Sequence, residues 1–181
     1  MQENDYGWYA MSATFCRELK AKEYLEGNGV ECFIPMRYEL IIEKTGGKKK
    51  KFVPAIHNLI FAYTTRKRIQ ELKTGVDYLQ YIVKPCEGRK EPVVVPQEQM
   101  QQFIKVCDTH NEKLLYLSPE EINLKKGTNV RIVGGVFDGV EGQFVKVEGK
   151  RNKRVVVQLQ GLVAVATAEI TDGYIEVLDK A

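Results

Sequence analysis

The chain has 181 residues, of which 44% are hydrophobic and 28% are charged. This length accommodates one or two domains, and the composition is that of a folded globular protein rather than a disordered or fibrous one. The formal net charge is only +3, so total charge alone does not predict nucleic-acid binding. Residues 1–110 hold the whole surplus, with 17 Lys and Arg against 14 Asp and Glu, so any attraction to phosphates is expected there.

The sequence shows no sign of export or of a membrane span. Its first ten residues contain neither a basic segment nor an apolar core, so we expect no secretory signal. No apolar run approaches the roughly 20 residues of a membrane helix, so no membrane partner is expected. The four cysteines are widely spaced and form no CxxC pair. They are interpreted as reduced thiols of a cytoplasmic protein, without a disulfide or a metal.

The first region begins with a strand, a helix and a second strand. Residues 7–12, with an aromatic start, predict a buried strand. An apolar stripe that includes Phe15 and Leu19 then predicts a helix, which is expected to end at the glycines of residues 27–29. Residues 30–34 predict the second strand.

A hairpin and further elements follow. Residues 38–43 predict one arm of the hairpin, and the lysine-rich segment 44–51 is expected to form its tip. The apolar segment 59–64 predicts a central strand of a sheet. The remaining predicted elements are a short helix at Ile69 and Leu72, a strand at residues 81–83 and a helix after Pro96. Strands and helices in this order indicate an α+β sandwich.

The C-terminal region has a different pattern. Residues 111–123 break the periodicity and are expected to form an interdomain linker with an apolar anchor at residues 114–116. Residues 124–181 predict four or five short strands in a small β-barrel, with a basic hairpin tip at residues 150–154 that is interpreted as a solvated turn. Glycine adopts positive φ without steric cost. The glycines interpreted as marking tight turns are Gly127, Gly134, Gly135, Gly139 and Gly142.

These motifs in this order resemble the NusG family of transcription elongation factors. The resemblance covers nearly the whole chain. It is carried by WYA at residues 8–10, FIP at 33–35, NLIFA at 58–62, PVVVP at 92–96 and the KOW motif KKGTNVRIVGGVFDGVEGQ at 125–143. It implies an NGN domain at residues 1–110, with an antiparallel sheet flanked by helices, and an SH3-like KOW β-barrel at residues 124–181.

Two departures make the chain resemble specialised members of the family. The turn before the central strand, Ile56-His57-Asn58-Leu59, lacks the usual proline and tyrosine. In the housekeeping factor, an exposed phenylalanine of the barrel contacts Rho or ribosomal protein S10, whereas this chain has a polar residue there. The resemblance is therefore to RfaH-like or UpxY-like antiterminators, of which the latter act on capsular polysaccharide operons. The matching partner surface of the barrel is Leu159, Gln160 and Leu162.

The resemblance implies that the first domain binds RNA polymerase. An apolar patch would grip the β′ clamp helices, and a basic segment would face the β gate loop. The clamp-helix candidates are Ser12, Ile56, Leu59 and Phe61, and the gate-loop candidates are Arg66 and Lys67. For the apolar candidates the alternative is a place in the core of a central strand, because buried and groove-facing residues look alike in sequence.

The resemblance also implies contacts with non-template or upstream DNA. Thr14, Arg17 and Lys20 would handle the non-template strand, because cations and a helix N-terminus attract phosphate. Phe15 either stacks on a flipped base or fills the core, and the core fits the apolar stripe better. The second basic set comprises Lys48, Lys49, Lys50 and Lys51. These lysines either reach upstream duplex DNA or form a solvated loop.

Catalysis finds no support in the sequence. It contains no nucleophile elbow and no paired-carboxylate motif, and the histidines His57 and His110 lack metal-type spacing, so we expect neither an enzyme nor a cofactor. His57 is expected to shape the turn before the central strand. The expected function is that of a monomeric elongation or antitermination factor. The alternative is a KOW-containing RNA-binding or ribosome-associated protein.

Overall fold

The structure is a computed structural model, and it describes residues 5–42, 46–117, 127–146, 153–159, 162–167 and 175–178. The described residues form an α+β fold with antiparallel sheets and three helices, as the sequence predicts. The chain divides into two compact units. One comprises Met1–Met36 and Phe52–Gln97, and the other comprises Arg37–Lys51 and Glu98–Ala181. None of the helices in the described ranges is long and apolar enough to cross a membrane.

The first unit is built on a five-stranded antiparallel sheet. Strand β1 (Tyr6–Ala13) pairs on one side with β5 (Leu59–Thr65) and on the other side with β6 (Leu79–Tyr81) and β9 (Val94–Val95). Strand β2 (Glu31–Phe33) pairs with the outer side of β5. The two apolar segments of the sequence thus become the interior strands, as the analysis of the sequence expected.

Two helices cover one face of this sheet: α1 (Glu18–Gly27) and α2 (Arg66–Thr74). The core on this face is buried because apolar positions of the strands and of both helices point into it. Its members include Tyr9, Met11, Leu25, Ile60, Ile69, Leu72, Tyr78 and Leu79. The predicted short helix at Ile69 and Leu72 is therefore confirmed.

Helix α1 ends where the glycines predict. Val30 N–H donates to Leu25 O at 3.0 Å, and Gly29 N–H donates to Glu26 O at 2.9 Å. These two bonds, with φ +75° at Gly29, form a Schellman motif, in which a left-handed residue satisfies the last carbonyls of the helix.

The N-terminal half of the predicted apolar stripe is wrong. Phe15 is 81% exposed and Leu19 is 54% exposed. Phe15 lies outside the helix, because α1 begins only at Glu18. The buried face of α1 consists of Glu18, Ala21 and Leu25. Leu19 lies about 100° from Glu18 around the helix axis, so it points away from this face.

Two hairpins leave the main sheet. Strand β3 (Met36–Ile42) pairs with β4 (Lys48–Pro54). The lysine run therefore begins the second arm of this hairpin and does not form its tip, which corrects the expectation from the sequence. Strand β7 (Val83–Cys86) pairs with β8 (Arg89–Pro92). Its two-residue turn has positive φ at Glu87 and Gly88, which matches the twist of antiparallel strands.

The second unit contains α3 (Gln97–Cys107) and a six-stranded antiparallel sheet. Helix α3 is the helix predicted after Pro96, and it buries Met100, Phe103, Val106 and Cys107. The strand order is β10 (Leu115–Leu117), β14 (Val163–Ala166), β13 (Lys153–Leu159), β12 (Glu141–Lys146), β11 (Thr128–Ile132) and β15 (Ile175–Val177).

Strand β10 lies within the segment that the sequence assigned to a linker. It pairs with β14 through Leu115, Tyr116 and Leu117. Leu117 is buried in a cluster with Val145 and Val156, and Leu115 packs against that cluster. The apolar anchor expected at residues 114–116 thus overlaps an edge strand of the second sheet, in which Leu115 and Leu117 point to the same face.

The glycines of the second unit have two different roles. Gly134, Gly135 and Gly139 have φ of 83°, 72° and 71°, so the predicted turn between β11 and β12 is confirmed. Gly142 instead lies inside β12, where an added Cβ would be 2.5 Å from the carbonyl oxygen of Val156. This position needs glycine because two strand backbones approach closely, and not because the chain turns there.

Candidate nucleic-acid interface

The turn between β1 and α1 has an unusual backbone. Phe15 and Cys16 have φ of 61° and 54°, a region that costs about 1–2 kcal/mol for a residue with a Cβ. A bulky side chain such as phenylalanine is a rare occupant of this region. Such strain persists only where the surrounding structure fixes it, and it is concentrated at functional sites.

Asn58, in the turn before β5, fixes this strained turn from both ends. Ala13 N–H donates to Asn58 O at 2.9 Å, and Cys16 N–H donates to Asn58 Oδ1 at 2.9 Å. Asn58 N–H itself donates to Glu18 Oε1. Asn58 has φ of 62°, which asparagine tolerates better than most residues. The segment that departs from the usual family pattern therefore holds the strained turn in place.

The strained turn presents Phe15 to solvent beside two cations. The Arg17 guanidinium lies 5.4 Å from the centroid of the Phe15 ring and 5.4 Å from the centroid of the Tyr78 ring. Lys20 Nζ lies 5.1 Å from the Tyr78 centroid on the same surface. Thr14 N–H donates to Tyr78 O at 2.8 Å. The fold thus gathers Thr14, Arg17 and Lys20 around one aromatic residue, Tyr78.

Tyr78 is nearly fully buried, with 5% of its surface exposed. Desolvation by burial raises the pKa of its phenol above the usual value, although the nearby Arg17 opposes this shift. The ring therefore stays neutral at physiological pH. Arg17 also forms an ion pair with the exposed Asp77 at 3.5 Å. A surface pair of this kind is weak, so the guanidinium can exchange Asp77 for a phosphate at little cost.

Of the four predicted clamp-helix residues, two are accessible and two are interior. Ser12 and Ile56 are half-buried. Leu59 is only 5% exposed and Phe61 is fully buried. Both lie on the face of β5 opposite Ile60, and both faces of this strand are buried. This burial favours the core alternative for Phe61, and its contact with the clamp helices stays a prediction.

The gate-loop candidates Arg66 and Lys67 are exposed at the first two positions of α2. Thr65 caps this helix by accepting a hydrogen bond from Arg68 N–H at 3.2 Å. Arg66 also lines an open cavity of about 310 Å³. The other residues that line the cavity are Tyr9, Lys84, Glu91, Pro92 and Val94.

The four lysines of β4 are all exposed. Lys50 Nζ lies 2.5 Å from Glu112 Oε1, so its charge is already paired. Successive side chains of a strand point to opposite faces. Lys48 and Lys50 therefore share one face of the hairpin, and Lys49 and Lys51 share the other.

The predicted partner surface of the second domain is only partly accessible. Leu159 is fully buried at the end of β13, and its role as a contact stays a prediction. Leu162 is half-buried and donates its N–H to Leu159 O at 2.7 Å. Gln160 lies outside the described residues. Arg154, expected in a solvated turn, is instead buried and donates to Thr167 O at 2.5 Å.

The fold also brings together residues that are far apart in the sequence. Cys16 Sγ lies 3.8 Å from His57 Nδ1, although the two residues are 41 positions apart in sequence. With Glu18 they form a group whose possible metal-ligand atoms lie within 4.8 Å of one another. No local motif reveals such a group, because two turns from different parts of the chain form it. Asn58 was likewise missed, and it makes the hydrogen bonds that shape the turn, a role the sequence had assigned to His57.

A family model described as transcription termination factor NusG matches residues 6–104, more than half of the chain. The chain therefore belongs to the NusG family, whose members are non-enzymatic transcription factors that bind RNA polymerase.

Among solved structures, the chain is similar to NusG from Thermotoga maritima in a study of its domain interaction. The identity is 18% and the TM-score is 0.47, with 97% of this chain and 98% of that chain covered. No curated protein matches the chain.

Proposed function

We propose that this chain is a transcription elongation and antitermination factor. Its first domain, residues 1–110, would bind RNA polymerase and suppress pausing or termination. Residues 111–123, which include the edge strand β10, would connect it to a KOW domain at residues 124–181. Family membership supports the class of function. The surface around the turn between β1 and α1 supports the way in which the factor handles DNA.

The observation that carries the proposal is the exposed Phe15 ring on a strained backbone. Its ring is 81% exposed, so it adds little to the core, and its positive φ lowers the stability of the fold. An aromatic ring held in this way is a platform on which an unpaired base can stack, whatever its identity. Arg17 and Lys20 beside it supply positive charge for the flanking phosphates. This combination fits the displaced non-template strand of a transcription bubble.

The polymerase would be held on both sides of this DNA contact. Ser12 and Ile56 offer the accessible part of the clamp-helix surface, and Arg66 and Lys67 offer the surface for the β gate loop. A factor that joins these two parts of the polymerase favours the closed clamp. It does so only to the extent that it binds the closed state more tightly than the open state.

The specialised role belongs to the same proposal. The turn at residues 56–59 departs from the housekeeping pattern, and its Asn58 holds Phe15 in its exposed position. We infer a factor that acts on particular long operons, such as those for capsular polysaccharide. It would work as a cytoplasmic monomer. Lysines 48–51 would contact upstream DNA, and the KOW domain would recruit ribosomal protein S10 or another partner.

The test is transcription by elongation complexes assembled on a scaffold with a long non-template strand. The wild-type chain should bind the complex and shorten pauses. Phe15→Ala combined with Arg17→Ala should bind the polymerase but lose the effect on pausing. Tyr6→Ala is the matched control, because it removes another exposed aromatic of the first domain, 65% exposed and at the start of β1.

Ile56→Asp addresses the polymerase contact separately. A charge at this accessible position should weaken binding to isolated clamp helices without unfolding the domain. Binding that is unaffected by Ile56→Asp, or co-sedimentation of the chain with ribosomes but not with polymerase, would contradict the proposal. The second outcome would favour the ribosome-associated alternative.

A further inference from the structure

Three side chains that commonly bind metals meet beside the strained turn. They are Cys16 in that turn, Glu18 at the start of α1 and His57 in the turn before β5. Their possible ligand atoms all lie within 4.8 Å of one another, and Cys16 Sγ is 3.8 Å from His57 Nδ1. In a tetrahedral zinc site, bonds of about 2.3 Å to sulfur and about 2.0 Å to nitrogen place these two atoms about 3.6 Å apart. A small side-chain adjustment would therefore complete the geometry.

We propose that Cys16, Glu18 and His57 bind one Zn²⁺ ion. Thiolate, imidazole and carboxylate are the three kinds of protein ligand that zinc uses, and the thiolate disfavours Mg²⁺ and Ca²⁺. Three protein ligands leave a fourth position, which water or a donor from a bound partner would fill. This inference does not depend on the proposed role in transcription.

Glu18 provides an independent observation in favour of a cation here. Glu18 is only 2% exposed, and a buried carboxylate usually has a cationic or metal partner. In the described part of the chain, no lysine or arginine forms an ion pair with it. Asn58 N–H donates to its Oε1. Hydrogen bonds of this kind orient the carboxylates of metal sites and leave the second oxygen for the ion.

The site is reachable and would have a mechanical effect. Cys16 and His57 are exposed, so an ion can enter without unfolding. Once bound, it would tie the turn between β1 and α1 to the turn before β5. Phe15 directly precedes Cys16, so the ion would also restrict the position of the exposed ring.

The test begins with the metal-free full-length chain and a zinc titration against a chromogenic chelator. One equivalent of Zn²⁺ should bind. Cys16→Ser and His57→Gln should each weaken binding by at least about 100-fold, because even residues that only orient ligands contribute 10- to 100-fold. Cys86→Ser and His110→Gln are the matched controls and should keep the affinity of the wild type. All four positions are solvent-accessible, so the variants should fold.

Two further measurements use the wild-type chain, so they do not depend on the folding of the variants alone. Co²⁺ bound to the wild-type chain should give a thiolate-to-metal charge-transfer band, which Cys16→Ser should abolish. Saturating Zn²⁺ should raise the melting temperature of the wild type by about 5 °C or more at 100 times its dissociation constant, and it should leave that of Cys16→Ser unchanged. Absence of the Co²⁺ band, or equal zinc affinity of the wild type and Cys16→Ser, would overturn the proposal.

Discussion

Replacing Phe15 by alanine should leave the fold nearly intact. About one fifth of the ring is buried, which corresponds to roughly 0.3–0.6 kcal/mol of the 1.5–3 kcal/mol for full burial of such a side chain. The exposed cation–π contact with Arg17 adds about 0.5–1 kcal/mol. Alanine keeps the same positive φ, so the backbone strain does not change. The expected loss of stability is therefore about 1 kcal/mol.

The effect on nucleic acid should be larger. Loss of one base-stacking aromatic costs about 1–3 kcal/mol, which is about 5- to 140-fold in affinity. Fluorescence anisotropy with labelled single-stranded DNA at low salt measures the loss of affinity. Denaturant unfolding measures the loss of stability. Phe61→Ala is the contrasting variant, because its fully buried ring should cost about 3–5 kcal/mol of stability.

Two results would refute this reasoning. A stability loss for Phe15→Ala as large as that for Phe61→Ala would place the ring in a core. An affinity for single-stranded DNA within a factor of two of that of Tyr6→Ala, the exposed aromatic control, would show that no base stacks on Phe15.

Three further outcomes follow from the described contacts. Gly142→Ala should lower the stability of the second unit by more than about 2 kcal/mol, since its Cβ would overlap the neighbouring strand. Gly135→Ala, in open space with φ +72°, should cost only about 1–2 kcal/mol. Denaturant unfolding of the two variants compares these losses. Burial raises the pKa of Cys32 to about 12. Above pH 9, unfolding therefore releases the thiol proton of Cys32, and the free energy of unfolding should fall by up to about 1.4 kcal/mol per pH unit between pH 9 and 12. Cys32→Ala should reduce this dependence of stability on pH. Replacing residues 48–51 by alanine should lower the salt slope of duplex-DNA binding by about two contacts. Lys49 and Lys51 share one face of the hairpin, and Lys50 on the other face is paired with Glu112. An unchanged slope would show that these lysines do not touch DNA.

The elements that the sequence predicts well are those with local causes. The strand at residues 59–64 is apolar except for its last residue, Thr64. It becomes an interior strand of the sheet that is buried on both faces. The end of α1 follows from Gly29, because only a residue that tolerates positive φ can form the Schellman turn. In both cases the deciding interactions lie within a few residues of each other, so the pattern contains the information.

The candidate site depends on contacts that no local pattern contains. Extending the apolar stripe back to Phe15 assumed a helical backbone there. The turn is instead held in a left-handed conformation by hydrogen bonds that its backbone N–H groups donate to Asn58, more than 40 residues away. The same distance hides the pairing of Cys16 with His57. Arg154 shows the opposite error: a basic residue suggests a solvated turn, but the carbonyl oxygens of Lys113, before β10, and of Thr167, directly after β14, accept its hydrogen bonds and allow its burial.

The backbone strain at Phe15 and Cys16 indicates that the side chains in this turn do not serve the stability of the fold. A connection between a strand and a helix with positive φ at two successive positions would be most stable with glycine or asparagine there. This chain has Phe15 and Cys16 instead, at a combined cost of about 2–4 kcal/mol. The hydrogen bonds of Asn58 hold the turn but would do so equally well with small side chains. What the larger side chains add is an exposed ring and an exposed thiol beside His57, the two groups that the proposed DNA contact and the proposed zinc site would use.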